Sequence, residues 1–265
     1  MKKKMLNFIK ITVIIYSVFC TVLYLFQEKL IFFPEKLGHN YEFKFDDEFE
    51  EVYIEVEKGV KLSSALFKAK KPKGLIFYLH GNSGSLKSWG DISKTYTDLG
   101  YDLFILDYRG FGKSDGDISG QNELFSDVQK AYNLILKRYV ENEIVILGYS
   151  IGTGLAAKLA SMNNAKQLIL QAPYFSMVDM MRQSYPICPT FLLKYKLESN
   201  KYISACNMPI VLFHGREDNL IDYEASLRLR ILLKSTDELI LLDGQGHNGM
   251  TDNVDYKREL KRILN

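Results

Sequence analysis

Gly148-Tyr149-Ser150-Ile151-Gly152 lies between two segments of opposite character. Before it stands Glu143-Ile144-Val145-Ile146-Leu147, an apolar and β-branched run of the length of a buried strand. After it comes Thr153-Gly154-Leu155-Ala156-Ala157-Lys158-Leu159-Ala160, rich in good helix formers. Ser150 therefore sits where a strand turns sharply into a helix. Such a turn holds the serine in an unusual backbone conformation with its hydroxyl projecting from the sheet. Glycines two before and two after it are required, because a Cβ there would strike the neighbouring strand or helix.

Outward from this turn, apolar runs and helical stretches alternate. Strands are expected at residues 52–56, 61–68, 74–79, 101–106, 166–171, 209–214 and 238–242. Helices are expected at 86–99, 122–139, 223–233 and 253–264, the second with Leu124, Val128, Ala131 and Ile135 on one face. Strands that are apolar throughout and separated by helices imply an α/β fold with a mostly parallel sheet covered on both faces. Sites in such sheets collect at the carboxyl ends of strands.

The amino terminus is different. Met1-Lys2-Lys3-Lys4 is followed by a segment with no charged residue from Ile11 to Phe26. With the residues before it, the segment reaches the roughly 20 needed to cross a bilayer. Bulky residues at 17–20 and 23–26 do not suit signal cleavage. Residues 1–26 are thus read as an uncleaved signal anchor and 27–265 as the folded domain. Lysines 2, 3, 4 and 10 put the amino terminus in the cytoplasm and the domain on the exoplasmic or periplasmic side. Without those lysines, the 34 basic and 32 acidic side chains come close to balance, so no nucleic acid or other polyanion is implied as a partner. Three cysteines make no disulfide framework, and whether Cys188 pairs with Cys206 is open. No metal-spaced Cys/His cluster or phosphate-binding glycine loop is present, so no metal and no other cofactor is expected.

A serine hydroxyl needs a base to act as a nucleophile. Of the four histidines, His39 is beside the anchor, His80 follows a strand in His80-Gly81-Asn82-Ser83-Gly84, and His214 closes another strand. His247, in the loop Gly244-Gln245-Gly246-His247-Asn248 after the last strand, is best placed to reach over the sheet to Ser150. The acid that orients it must fall between the two at a strand end. Asp218 fits best, with Asp222 and Asp243 in reserve and Glu217 pointing elsewhere. An oxyanion needs two fixed N–H donors, expected from the backbone of Ile151 and from the 80–83 loop at Asn82. Asp107 and Arg109 are read as braces between loops.

Together Tyr78-Leu79-His80-Gly81-Asn82, Asp107-Tyr108-Arg109-Gly110-Phe111-Gly112-Lys113-Ser114, the Ser150 turn, His214-Gly215-Arg216-Glu217-Asp218 and Gly246-His247 resemble the α/β-hydrolase superfamily. With the anchor and Phe32-Phe33-Pro34 after it, the chain looks most like membrane-anchored abhydrolase-domain proteins. That group includes lysophospholipid lipases and protein depalmitoylases and is also described as serine-aminopeptidase-like. The resemblance covers about residues 30–265. It implies an α/β-hydrolase fold and a serine hydrolase acting on a carboxylic ester or thioester, with a lipid or acyl-ester substrate and an acyl-enzyme intermediate. Residues 177–208, rich in Met and aromatic side chains, occupy the place of a lid, with Tyr149, Met177 and Phe191 as candidate substrate contacts; packing on the core is the alternative reading of this insertion. A peptidase on the same fold, a silent membrane-anchored binding module and a cofactor-free haloperoxidase or lyase are the rival readings.

Overall fold

The computed structural model describes residues 1–265. It opens with α1 (Lys2–Ile31), one unbroken helix of 30 residues that runs past the expected boundary at residue 26. Nothing in Gln27-Glu28-Lys29-Leu30 breaks a helix, and tertiary hydrogen bonds hold this last turn. α1 is the one helix long and apolar enough to cross a membrane. The chain then forms the two-residue strand β1 (Phe33–Pro34) and the antiparallel pair β2 (Phe49–Glu57) and β3 (Val60–Phe67). β4 (Leu75–Leu79) leads to the two-residue β5 (Ser83–Gly84), then the short helices α2 (Leu86–Trp89) and α3 (Ser93–Thr97).

The expected single helix over 86–99 is thus two pieces with a tighter turn at Gly90–Ile92. Gly90 is the point of failure: the Phe45 ring lies where its Cβ would be. Next come β6 (Asp102–Leu106), α4 (Gln121–Ile135), β7 (Ile144–Tyr149), α5 (Gly152–Ala160) and β8 (Gln167–Gln171). The insertion contains α6 (Met177–Ser184) and α7 (Ser199–Ile203). β9 (Ile210–Gly215), α8 (Glu224–Arg230), β10 (Glu238–Leu242) and α9 (Val254–Leu264) complete the chain.

The eight-stranded sheet has the order β10-β9-β8-β7-β4-β6-β3-β2, with β2–β3 and β3–β6 antiparallel and every other pair parallel. Alternation along each strand divides the core into two layers. Leu75, Phe77 and Leu79 of β4 pack with α4 and α5, while Ile76 and Tyr78 pack with α9 on the other face. From β4 the connection runs outward to β6 and then back across to β7. That reversal opens a crevice at the carboxyl ends of β4 and β7, where ligands bind in sheets of this kind. Arg109 braces the loop after β6. It forks onto Asp127 at 2.6 and 3.1 Å and reaches Glu57 at 3.0 Å and Glu123 at 3.1 Å.

The expected 177–208 insertion divides into two parts. From Tyr195 onward it is packed against the α5 face, with Tyr195, Leu197, Ile203 and Cys206 all buried. Only its first half stands over the crevice. Cys188 and Cys206 are both free.

Candidate active site

The turn after β7 has the strain its glycines suggest. Ser150 has a φ of 52°, in the left-handed region that bulky side chains avoid. A Cβ on Gly148 would lie 2.5 Å from the Gly152 carbonyl and 2.7 Å from the Ala156 methyl, and one on Gly152 would overlap the Leu79 carbonyl. β7, β4 and α5 can meet only without those side chains. A third glycine went unread in the sequence: Gly154 makes room for the Tyr174 hydroxyl, which donates to the Ile151 carbonyl at 3.1 Å.

Three loops bring the expected catalytic groups together. His247 Nε2 lies 3.0 Å from Ser150 Oγ, and His247 Nδ1 lies 2.7 Å from Asp218 Oδ2. An ionised carboxylate can only accept, so Nδ1 carries the proton and Nε2 presents its lone pair to the serine hydroxyl. Oδ1 of Asp218 accepts from the backbone N–H groups of Leu220 and Ile221 at 2.9 and 2.8 Å. Burial alone would push the Asp218 carboxyl up. Hydrogen bonds from His214, His247 and Ile221 outweigh it and hold the group well below the ordinary carboxylate range.

His214 is therefore part of the arrangement, although the sequence offered it only as a strand end. It is fully buried, with Nδ1 on the Ser226 hydroxyl at 2.7 Å. Its Nε2–H is shared between the Ile221 carbonyl at 2.8 Å and Asp218 Oδ2 at 3.3 Å. Gln245 was likewise missed: its amide donates to the Gly246 and Asn248 carbonyls at 2.9 and 2.8 Å, shaping the His247 loop from within. The reserve acids are elsewhere. Asp222 caps the start of α8 through the Glu224 N–H at 2.9 Å, and Asp243 is exposed and paired with Arg216 at 2.7 Å. His80 is buried beneath the loop after β4, stacked on Trp89 and 3.3 Å from Asp107, far from a base's position.

The N–H groups of Ile151 and Asn82 have no hydrogen-bond partner within the protein. Both residues border, with Ser150, a cavity of about 640 Å³. Met177, Met181, Leu193 and Ile221 form part of its wall, and no charged side chain lines it. Two expected contacts need correction. Phe191 is 81% exposed at the tip of the insertion and outside the wall, where Leu192 and Leu193 stand instead. A 3-residue turn at Thr190–Leu192 rotates Phe191 outward. Tyr149 also lies outside the wall: Val145, Leu147 and Tyr149 share the α9 side of β7, away from the cavity. Its hydroxyl donates to the His247 carbonyl at 2.6 Å and its ring packs on Trp89, so it braces the His247 loop.

The family described as Serine aminopeptidase, S33, matches residues 70–201. Alpha/beta hydrolase domain-containing protein 17C of Xenopus tropicalis is 29% identical over 195 residues, which cover 71% of this chain and 61% of that protein. YfhR of Escherichia coli O157:H7, itself uncharacterised, is 29% identical over 184 residues, covering 67% of this chain and 64% of its own. The chain thus spans less than two thirds of the length of these relatives. Among solved structures, the Pyrococcus furiosus esterase Pf2001 superposes with a TM-score of 0.69 at 19% identity, covering 88% of this chain and 97% of that one. Est1E of Butyrivibrio proteoclasticus, solved with ferulic acid, gives 0.64 at 18% identity, covering 80% and 96%. At such identities the two structures speak to the fold alone.

Proposed function

We propose that the chain, similar in sequence to alpha/beta hydrolase domain-containing proteins and in fold to solved esterases, is a membrane-anchored serine hydrolase that cleaves a carboxylic ester or thioester through an acyl-enzyme. The observation that carries this reading is the unbroken relay from Asp218 through His247 to Ser150, at 2.7 and 3.0 Å, opening into an apolar cavity. In the first half-reaction Ser150 Oγ bonds to the acyl carbon while its proton passes to His247 Nε2. The carbonyl oxygen takes up the electron pair between the N–H groups of Ile151 and Asn82. As the intermediate collapses, the bond to the leaving alcohol or thiol breaks and His247 returns the proton to it. Water, deprotonated by His247, then attacks the acyl-serine, releasing the carboxylic acid and the free serine. Asp218 stabilises the imidazolium in both halves.

Helix α1 is proposed as the anchor, with residues 1–26 crossing the membrane, the lysine-rich end in the cytoplasm and residues 27–265 on the exoplasmic or periplasmic side. The cavity favours an ester over the peptidase reading. An aminopeptidase must hold a charged α-amino group, and this wall carries no carboxylate to pair with it. The test is turnover of p-nitrophenyl butyrate beside an aminoacyl p-nitroanilide. Ester hydrolysis that disappears in Ser150→Ala, with the anilide left intact by wild type, supports the reading. Faster cleavage of the anilide would replace it with a peptidase.

A further inference from the structure

The cavity at Ser150 has a wall that does not come from the hydrolase fold. Phe19, Leu23, Tyr24, Gln27, Leu30 and Ile31 of α1 line one side of it. At about 1.5 Å of rise per residue, that stripe extends roughly 18 Å along the helix. Its Ile31 end is the catalytic end, because the Ile31 carbonyl accepts from Asn82 Nδ2 at 2.8 Å.

The wall is fixed to the domain. Gln27 is buried, receives the Lys194 N–H at 2.8 Å on its carbonyl and donates to the Leu192 carbonyl at 3.1 Å. Glu28 pairs with Lys194 Nζ at 3.0 Å and accepts from the Tyr195 hydroxyl at 3.0 Å. Farther along, the Tyr16 hydroxyl donates to the Ile187 carbonyl at 2.7 Å. That bond sets the lid tip beside the middle of the charge-free run Ile11–Phe26. The tip is apolar and outward-facing, with Tyr185, Ile187 and Phe191 at 64, 71 and 81% exposure. A tip of this kind suits hydrocarbon rather than water.

We infer that α1 is a working part of the site: α1 and the lid form a channel that opens toward the membrane and takes one long acyl chain, and positions along α1 set how long a chain is cleaved. This rests on the serine-hydrolase reading of Ser150. One leaflet is about half of a ~30 Å hydrocarbon core, close to the length of the α1 stripe, so a fatty acyl tail can stay at leaflet depth while its carbonyl reaches Ser150. A second tail would have to share a cavity of about 640 Å³.

The test uses full-length protein in detergent micelles with p-nitrophenyl butyrate, octanoate and palmitate. Leu23→Trp is expected to lower the palmitate-to-butyrate ratio by about tenfold or more, the scale on which apolar pockets discriminate chain size. Phe19→Trp, farther from Ser150, should lower the palmitate ratio while sparing octanoate. Leu25→Trp, on the opposite face of α1, should leave the profile as in wild type. Unchanged profiles in both pocket variants, or a cutoff that does not follow the order of the two positions, would overturn the channel. Wild type that fails to cleave butyrate would instead overturn the reading of Ser150.

Discussion

Asn82 Nδ2 donates to the carbonyl of Ile31 at 2.8 Å, so the loop that presents an unpaired N–H beside Ser150 is tied to the last turn of α1. The tie is reinforced by the Phe33 N–H on the Asn82 carbonyl at 2.8 Å and by the pairing of β1 with β5. Helix α1 and the loop after β4 are thus one mechanical unit.

Asn82→Ala keeps the backbone N–H and removes only this tether. It is expected to lower kcat by about ten- to a hundredfold with little change in KM, below the loss seen when an oxyanion donor is removed outright. Steady-state kinetics on p-nitrophenyl butyrate checks this; a rise in KM with kcat intact would place Asn82 in binding instead.

Gly148→Ala forces a methyl into the space held by the Gly152 carbonyl and Ala156. Overpacking of this kind costs about 1–3 kcal/mol, which lowers the unfolding midpoint of a domain this size by roughly 2–12 °C. Thermal unfolding in detergent reads it directly, and an unchanged midpoint would show that the turn relaxes freely.

Arg109 is buried and forks onto Asp127 while reaching Glu57 and Glu123. Arg109→Ala leaves Asp127 buried without its partner and is expected to cost about 3–5 kcal/mol of stability. Specific activity per folded molecule should stay near wild type, as measured by active-site titration beside denaturant unfolding.

The Asp218 carboxyl is held below its ordinary range, so its contribution to stability is full above the unfolded value of about 3.9 and vanishes as pH falls through the depressed folded value. Asp218→Asn should therefore unfold at a lower temperature than wild type at pH 7, with the gap closing as the pH drops below about 4. It should also lose activity by about ten-thousandfold, because His247 would adopt the wrong tautomer. A gap that stays constant with pH would contradict the hydrogen-bonded carboxylate.

Local chemistry carried much of this architecture into the sequence. Apolar runs marked the buried strands, and the glycines around Ser150 announced a close approach, seen where a Cβ on Gly148 would lie 2.5 Å from the Gly152 carbonyl. The three candidate catalytic groups were legible because each follows a strand, and strand ends converge in a parallel sheet. Contacts made at long range were not legible. His214 looks like any strand-ending histidine until Asp218 folds back to it, and Gln245 acts on its own loop only once that loop is closed. Tyr149 had a readable signal in its alternation with Val145 and Leu147, which sets it on the α9 face. Phe191 had none, since a turn among Phe191-Leu192-Leu193 decides which of them points inward. Helix α1 continues to Ile31, past the charge-free run, because Glu28 and Lys29 break an apolar pattern without breaking a helix.

The central claim is that Ser150 is the activated nucleophile. Treating full-length protein with a fluorophosphonate and locating the adduct by peptide mass spectrometry tests it most directly. A single adduct on Ser150, lost in Ser150→Ala and strongly slowed in His247→Ala, is the result expected. An unlabelled Ser150 in protein that still cleaves p-nitrophenyl butyrate would contradict the account.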